Sequence, residues 1–200
     1  MDPEKVLRKI SKKTSAIIIT HIYGLPVDLQ KIMNVAKRKN IKIIEDAAEV
    51  IGLKYKNRMC GSFGDVSTFS FYANKHMTTG EGGMVTTHDT TLAEKIRCLR
   101  DHGATMSDLQ RHHGSKPYLL ADHPEAGYNQ RMTDIQGALG SAQMDRANEI
   151  ILERRRLADI YNEAFSHLDW LRTPLTPEGY EHGYQSYPCT YMPEEANLNN

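Results

Sequence analysis

Hydrophobic residues in the first part of the chain form two short aliphatic runs separated by one helical pattern. The runs at 16–20 and 41–44 are uninterrupted, as in strands that are covered on both faces. Between them, residues 29–39 place apolar side chains on one face of a helix, with Asp28 suited to its N-cap and Asn40 to its end. A strand, a helix and a strand at this spacing predict a βαβ unit and therefore a parallel sheet.

The rest of the chain predicts further strands and helices around irregular connections. A polar, histidine-bearing stretch at 104–130 is predicted to be a surface excursion. In the helix that follows it, Thr133 and Gln136 form a capping box, and the residues of 132–144 are interpreted as core rather than cofactor contacts. The other predicted strands are 67–71, 84–87 and 184–191, and the other predicted helices are 89–99 and 149–165.

Composition excludes several classes of partner. The 25 basic and 25 acidic residues balance, so neither nucleic acid nor an anionic membrane surface is indicated. The three cysteines fit neither a disulfide framework nor a paired metal motif, and they favour a reducing cytoplasm. No apolar run is long enough to span a bilayer. No metal site is predicted, because the histidines of the polar stretch lack ligand spacing.

One lysine and one aspartate carry the candidate chemistry. Asp46 follows the second strand directly, at the carboxyl end where open α/β sheets bind ligands, and His21 lies at the equivalent edge of the first strand. Lys75 lies before a glycine-rich turn. A lysine amine can form a Schiff base, and a carboxylate facing a pyridine nitrogen keeps pyridoxal phosphate (PLP) an electron sink. The pair favours PLP chemistry, although the local pattern alone also allows a solvated hairpin lysine.

Three motifs carry a family resemblance, and they are IIEDAAEVIG, GSFGDVSTFSFYANKHMTTGEGGMV and GYNQRMTDIQGALGSAQMDR. In this order they resemble the nucleotide-sugar aminotransferases of the DegT/StrS type. The residues after Lys75, TTGEGGMV, are most similar to those of perosamine-synthase-like members. The resemblance extends from about residue 1 to at least residue 190. It implies an α/β fold, the PLP-dependent transferase fold type I, with a mostly parallel sheet flanked by helices.

The resemblance also implies a role for each site residue. Lys75 would form the Schiff base with PLP and later move the proton between cofactor and substrate carbons. Asp46 would pair with the pyridine nitrogen, and Ser70 would hold the cofactor phosphate. Asn129 would reach the phosphate of the neighbouring subunit in a homodimer with composite active sites. Glu49 occupies a ring-orienting position, but an ionised carboxylate cannot donate a hydrogen bond, so either Glu49 is protonated or its role differs.

By the same resemblance, the reaction transfers an amino group, from glutamate, to a nucleotide-linked keto-deoxy sugar in the cytoplasm. Residues 1–130 would be the C-terminal part of the PLP-binding large domain, and residues 131–200 the linking helices and the beginning of a small α+β domain. The chain would then be the middle portion of a longer family member, incomplete at its N-terminus, and a poor enzyme alone.

Two alternatives remain open at this stage. One is a truncated or non-catalytic family member that acts as an assembly piece. The other is a PLP-dependent sugar dehydratase, which would have histidine in place of Lys75. A dinucleotide-binding fold is excluded because no strand is followed by G-x-G-x-x-G.

Overall fold

A computed structural model describes residues 1–115, 117–118 and 120–196. The chain divides into two compact units, which are described separately below. The first unit comprises Met1–Thr86 and Ile135–Asn200, and the second comprises Thr87–Asp134. The predicted functional division at residues 130 and 131 stays a prediction.

The helices are α1 (Pro3–Lys9), α2 (Gln30–Lys39), α3 (Thr90–Arg100), α4 (Asp108–His113), α5 (Asp134–Asp145) and α6 (Ala147–Phe165). The strands are β1 (Ala16–Thr20), β2 (Lys42–Asp46), β3 (Lys54–Tyr55), β4 (Arg58–Met59), β5 (Val66–Ser70), β6 (Gly83–Thr86), β7 (Leu171–Arg172) and β8 (Thr190–Tyr191). Within the described residues, no helix combines the length and the apolar character needed to cross a membrane.

A mostly parallel sheet organises the first unit. Its order among the described strands is β1-β2-β5-β6. β1 and β2 run parallel with Thr20 opposite Asp46, and β2 and β5 run parallel with Asp46 opposite Thr68. β6 pairs antiparallel with β5. The predicted α/β architecture is confirmed, and the carboxyl ends of β1, β2 and β5 meet at one edge of the sheet.

The hydrophobic core joins β1 and β2 to α2 and to the loop that follows β2. Its fully buried members include Ile19, Leu29, Ile32, Ala36, Ile43, Val50 and Leu53. Each fully buried aliphatic side chain stabilises the fold by about 1.5–3 kcal/mol. This core fixes the two strands from which the loops of the candidate site depart.

The start of α2 differs from the prediction by one residue. The helix begins at Gln30, and the capping position is held by Leu29 without a side-chain hydrogen bond. Asp28 instead accepts hydrogen bonds from the Gln30 amide at 3.3 Å and from the Tyr55 hydroxyl at 2.6 Å. The predicted end is confirmed, because Asn40 takes a left-handed conformation with φ of 52°.

The predicted strand at 184–191 is wrong over most of its length. Only β8 pairs, with β7 as an antiparallel partner. Tyr184 has a φ of 49°, which an extended strand does not allow, and Pro188 has no N–H to donate to a ladder. The segment makes irregular contacts with the site instead.

The core interpretation of 132–144 is also wrong. α5 buries none of its residues in the described structure, and Ile135 is 83% exposed. The stretch at 104–130 contains the short helix α4, so it is not irregular throughout, and residues 116 and 119 lie outside the described residues. Small and apolar residues at helical spacing therefore form an exposed surface of the chain as described.

Candidate active site

Three loops leave the carboxyl ends of β1, β2 and β5, and one carboxylate links them. The Glu49 side chain, three residues after β2, accepts a hydrogen bond from the ammonium of Lys75, with Oε1 and Nζ 3.0 Å apart. Its other oxygen, Oε2, accepts from the Tyr23 amide at 2.6 Å. The Lys75 and Glu49 side chains are 15% and 23% exposed, so the ion pair is largely shielded from bulk solvent.

Asp46 is the last residue of β2, as predicted from its position after the aliphatic run. Its Oδ1 accepts a hydrogen bond from the Ala48 amide at 3.2 Å, and its carbonyl accepts from the His21 amide at 3.1 Å. Among the described residues, Oδ2 has no hydrogen-bond donor. The half-buried carboxylate is therefore oriented by the turn and keeps one oxygen for a cationic partner.

Ser70 ends β5 at the same edge of the sheet. Its Oγ accepts a hydrogen bond from the Tyr72 amide at 3.3 Å, which leaves the hydroxyl proton able to donate. Ser70 is half-buried, and the chain turns directly after it. A hydroxyl in this position suits an anionic oxygen.

Asn129 belongs to the second unit, whereas the other predicted site residues belong to the first. There it forms an antiparallel bridge with Asp101, whose carboxylate also pairs with Arg131. Asn129 is exposed. Its predicted role across a dimer interface stays a prediction.

A buried carboxylate network behind the site was missed by the sequence analysis. Glu45 is fully buried, and its two oxygens accept hydrogen bonds from five donors. The donors are His21 Nε2, the amides of Gly61, Phe63 and Gly64, and the Ser67 hydroxyl. Burial alone raises the pKa of Glu45, but the hydrogen bonds from His21 and from the amides of Gly61 and Phe63 outweigh this effect and hold the pKa below its ordinary value.

The signal for this network was an acidic residue directly after the aliphatic run at 41–44, which was predicted to be a buried strand. Glu45 and Asp46 point to opposite faces of β2, because successive side chains alternate in a strand. Glu45 anchors the loop 61–64 beneath the sheet edge, while Asp46 remains open to a ligand.

Cys60 lies within 4.8 Å of the ligand atoms of His21 and Glu45. The histidine has no free lone pair, since its Nδ1 accepts from the Val27 amide at 3.0 Å and its Nε2 donates to Glu45. Burial, followed by the negative charge of Glu45, raises the pKa of the Cys60 thiol to about 12. The cluster is therefore a packed hydrogen-bond network and does not suit a metal ion.

His182 is another buried histidine of the first unit. Its ring stacks on Tyr184 with centroids 3.9 Å apart, and its Nδ1 accepts from the Tyr184 amide at 3.0 Å. Burial lowers the pKa of His182 to about 4, a backbone hydrogen bond to Gly24 opposes this lowering, and the charge of Arg155 adds to it. His182 is therefore neutral near pH 7.

The free energy of unfolding should fall as the pH drops from about 6.5, the pKa of an unfolded histidine, to about 4. Across this window the unfolded chain binds a proton at His182 and the folded chain does not, so acid favours unfolding, by up to about 3 kcal/mol. Urea unfolding at several pH values measures the slope. The variant His182→Asn keeps an acceptor near Nδ1 and should flatten it, whereas His167→Asn, at an exposed histidine, should not. Equal slopes in both variants would contradict the assignment.

The sequence pattern of the DegT/DnrJ/EryC1/StrS aminotransferase family matches residues 1–200. The chain belongs to this family. A GDP-perosamine synthase from Escherichia coli O157:H7 is 43% identical over 168 residues, which are 84% of this chain and 43% of that protein. The family resemblance inferred from the three motifs is therefore confirmed.

Solved structures of DegT-family proteins share the fold. Helicobacter pylori PseC, an aminotransferase involved in the biosynthesis of pseudoaminic acid, matches with a TM-score of 0.86 at 27% identity, over 96% of this chain and 49% of that one. The PLP-form of Spr1654 from Streptococcus pneumoniae matches with a TM-score of 0.83 at 25% identity, over 96% and 51%. The predicted fold type I is confirmed, and aminotransferases of the DegT family are PLP-dependent.

The chain spans about half the length of the curated relatives that it matches, 50% of one and 43% of another. Activity, substrates and partners therefore belong to the proposal that follows.

Proposed function

We propose that this chain supplies the lysine-bearing part of a PLP-dependent aminotransferase. It would transfer an amino group from glutamate to a nucleotide-linked keto-deoxy sugar in the cytoplasm. The observation that carries the proposal is the Lys75–Glu49 pair at 3.0 Å, at the sheet edge where Asp46 ends its strand. The similarity to GDP-perosamine synthase supports a sugar substrate on a nucleotide.

The residues at this edge fit PLP. Lys75 offers an amine, Asp46 offers a carboxylate oxygen without a protein donor among the described residues, and Ser70 offers a hydroxyl proton. Lys75 would hold the cofactor covalently, Asp46 would face its pyridine nitrogen, and Ser70 would face its phosphate. When bound, PLP supplies the electron sink that makes a substrate carbon–hydrogen bond acidic.

Glu49 would act as a hydrogen-bond acceptor rather than a donor. Both of its oxygens accept, one from Lys75 Nζ and the other from the Tyr23 amide, which an ionised carboxylate can do without protonation. A lysine must lose a proton to become a nucleophile, and Glu49 Oε1 is placed to receive it. The sequence left two interpretations of Glu49, a protonated side chain or a changed role, and its two accepted hydrogen bonds favour the changed role.

The proposal keeps the predicted homodimer and the predicted division at residues 130 and 131. Asn129 would act on the cofactor phosphate of the partner subunit, and residues 1–130 would belong to the cofactor-binding domain. Asn129 is exposed. An amide that contacts a neighbouring subunit must be exposed before the dimer assembles.

Mixing an Asn129→Ala protein with a Lys75→Ala protein tests the composite site. In each heterodimer one site would contain both intact residues, so activity should recover to roughly a quarter of the parent value after random subunit exchange, since half of the dimers are mixed and each has one good site. Mixing either variant with itself is the control. No recovery, with exchange verified by mass spectrometry, would show that Asn129 acts within its own chain or not at all.

The proposed reaction is tested in the assembled enzyme of which this chain is the lysine-bearing part, with ¹⁵N-labelled glutamate and a GDP- or UDP-linked 4-keto-6-deoxy sugar. The expected products are a ¹⁵N-labelled amino sugar and an equal amount of 2-oxoglutarate. Loss of water from the sugar without nitrogen transfer would favour the dehydratase alternative. A protein that binds PLP at Lys75 and changes none of these sugars would contradict the proposed substrate class.

A further inference from the structure

Lys75 lies at the centre of two reciprocal hydrogen bonds between separate segments of the first unit. The His76 ring nitrogen Nε2 donates to the carbonyl of Gly183 at 2.8 Å. In the other direction, Gln185 Nε2 donates to the carbonyl of Asn74 at 2.7 Å. The residues immediately before and after Lys75 are therefore each held by one bond to the segment 183–185. We call these two bonds the Lys75 clamp.

The chemistry of the clamp is fixed by its acceptors. A carbonyl can only accept, so His76 Nε2 must bear a hydrogen and the side chain must supply the donor. Burial lowers the pKa of His76. The hydrogen bond to Gly183 opposes this effect, and the positive charges of Arg154 and Lys75 lower the pKa further. His76 is therefore neutral, with Nδ1 as a bare acceptor.

Two acceptor atoms in the clamp have no partner among the described residues. They are His76 Nδ1 and Gln185 Oε1, and both are buried. Buried polar atoms without partners are rare in proteins and destabilise the folded state. Within the described residues, each side chain thus uses its donor for one main-chain carbonyl, His76 toward Gly183 and Gln185 toward Asn74.

The opposing segment is itself rigid. Tyr184 has a φ of 49°, and its carbonyl accepts from Arg154 Nη1 at 3.0 Å. The Gly183 amide donates to the Gly24 carbonyl at 2.8 Å. Gly24 has a φ of 88°, and a Cβ there would lie 2.6 Å from the Gln185 nitrogen, so the two backbones are in direct contact.

These contacts close a ring around the lysine. Lys75 binds Glu49, Glu49 binds the Tyr23 amide, Gly24 follows Tyr23 and binds Gly183, and Gly183 binds the residue after Lys75. The ε-amine and the backbone of Lys75 are thereby fixed from opposite ends. A lysine side chain has several rotatable bonds, so its amine reaches a defined point only when its backbone is fixed as well.

We propose that His76 and Gln185 are positioning residues that hold the Lys75 backbone so that its amine meets Glu49 and the reacting carbon. This inference rests on the proposed function for its catalytic consequence, but the clamp itself is a property of the protein without cofactor.

The test compares His76→Leu and Gln185→Met, which remove a donor at nearly constant volume, with His76→Gln, which restores a donor near Nε2. His167→Leu, at an exposed histidine, is the matched control. In the cofactor-free protein, amide hydrogen exchange in residues 72–79 should become at least tenfold faster in both donor-removing variants. Exchange in β1 and β2 should stay unchanged, which shows that the fold is intact.

In the loaded protein, the same two variants should lower kcat at least about tenfold with less than a threefold change in the KM for the sugar, and His76→Gln should recover most of the loss. Unchanged exchange would overturn the clamp, and faster exchange with unchanged kcat would overturn its positioning role. An assembled parent enzyme, with this chain as its lysine-bearing part, that transfers no amino group would contradict the proposed function instead, and the exchange result would still decide the clamp.

Discussion

Replacing Lys75 with alanine should lower kcat/KM for amino transfer by at least about a thousandfold, which corresponds to roughly 4 kcal/mol of lost transition-state stabilisation. The reason is that, among the residues that the structure describes, no other amine is paired with a carboxylate at the carboxyl edge of the sheet, where Lys75 Nζ lies 3.0 Å from Glu49. Lys75→Arg should lose as much, because the guanidinium can keep the ion pair with Glu49 but cannot be deprotonated to act as a nucleophile.

The control for both variants is Lys54→Ala, at an exposed lysine of the hairpin formed by β3 and β4. It should leave kcat/KM within a few-fold of the parent value. Steady-state kinetics with glutamate and the keto-sugar nucleotide measure all three proteins. A Lys75→Arg protein that retains more than about a tenth of parental activity would show that the charge of Lys75 matters rather than its nucleophilicity.

Replacing Asp46 with asparagine should slow amino transfer about a hundredfold, from the loss of roughly 3 kcal/mol of ionic stabilisation in the site. The amide has the shape of the carboxylate, so the Ala48 amide still finds an oxygen acceptor and the turn after β2 should remain intact. It has no negative charge, however, and so cannot hold a pyridine nitrogen protonated.

Cofactor affinity should fall by much less than turnover in Asp46→Asn, because Lys75 and Ser70 still bind the cofactor in the proposal. Absorbance titration with PLP and single-turnover kinetics separate the two quantities. Asp159→Asn, at an exposed position of α6, is the matched control. Turnover within a few-fold of the parent would remove Asp46 from the proposed pairing.

The sheet, and the edge of it that carries the candidate site, were predictable because they depend on local sequence patterns. Uninterrupted aliphatic runs indicate strands, and β1 and β2 lie where those runs predict them. The predicted cover on both faces is wrong for β1 in the described structure, because Ile18 is 59% exposed. A strand, helix and strand force parallel pairing, which brings the residues after Thr20 and after Asp46 to one edge. The antiparallel pairing of β6 with β5 was not predicted from the sequence.

The contacts of the site were not predictable, because they join loops that are distant in the sequence. Nothing local indicates that Glu49 binds Lys75 and the Tyr23 amide at once. The segment 184–191 was assigned to a strand on its aromatic residues, whereas the positive φ of Tyr184 and its contacts around Lys75 depend on the turn at Gly24. Aromatic residues are common in buried segments as well as in strands, and here packing around the site determines the backbone conformation.

Family membership and local geometry support the same residue as the centre of the chemistry. The family pattern covers the whole chain, and Lys75 with Glu49 is an ion pair at the carboxyl edge of the parallel sheet. Lys54 and Lys56, the nearest preceding lysines in the sequence, belong to the small hairpin instead. The account therefore depends on one covalent attachment point.

Borohydride reduction of the PLP-loaded protein, followed by proteolysis and mass spectrometry, locates that point directly. The account predicts a pyridoxyl group on the peptide that contains Lys75, at close to one per chain, and none on the same peptide in Lys75→Arg. A pyridoxyl group on Lys54 or Lys56, with Lys75 unmodified, would contradict it.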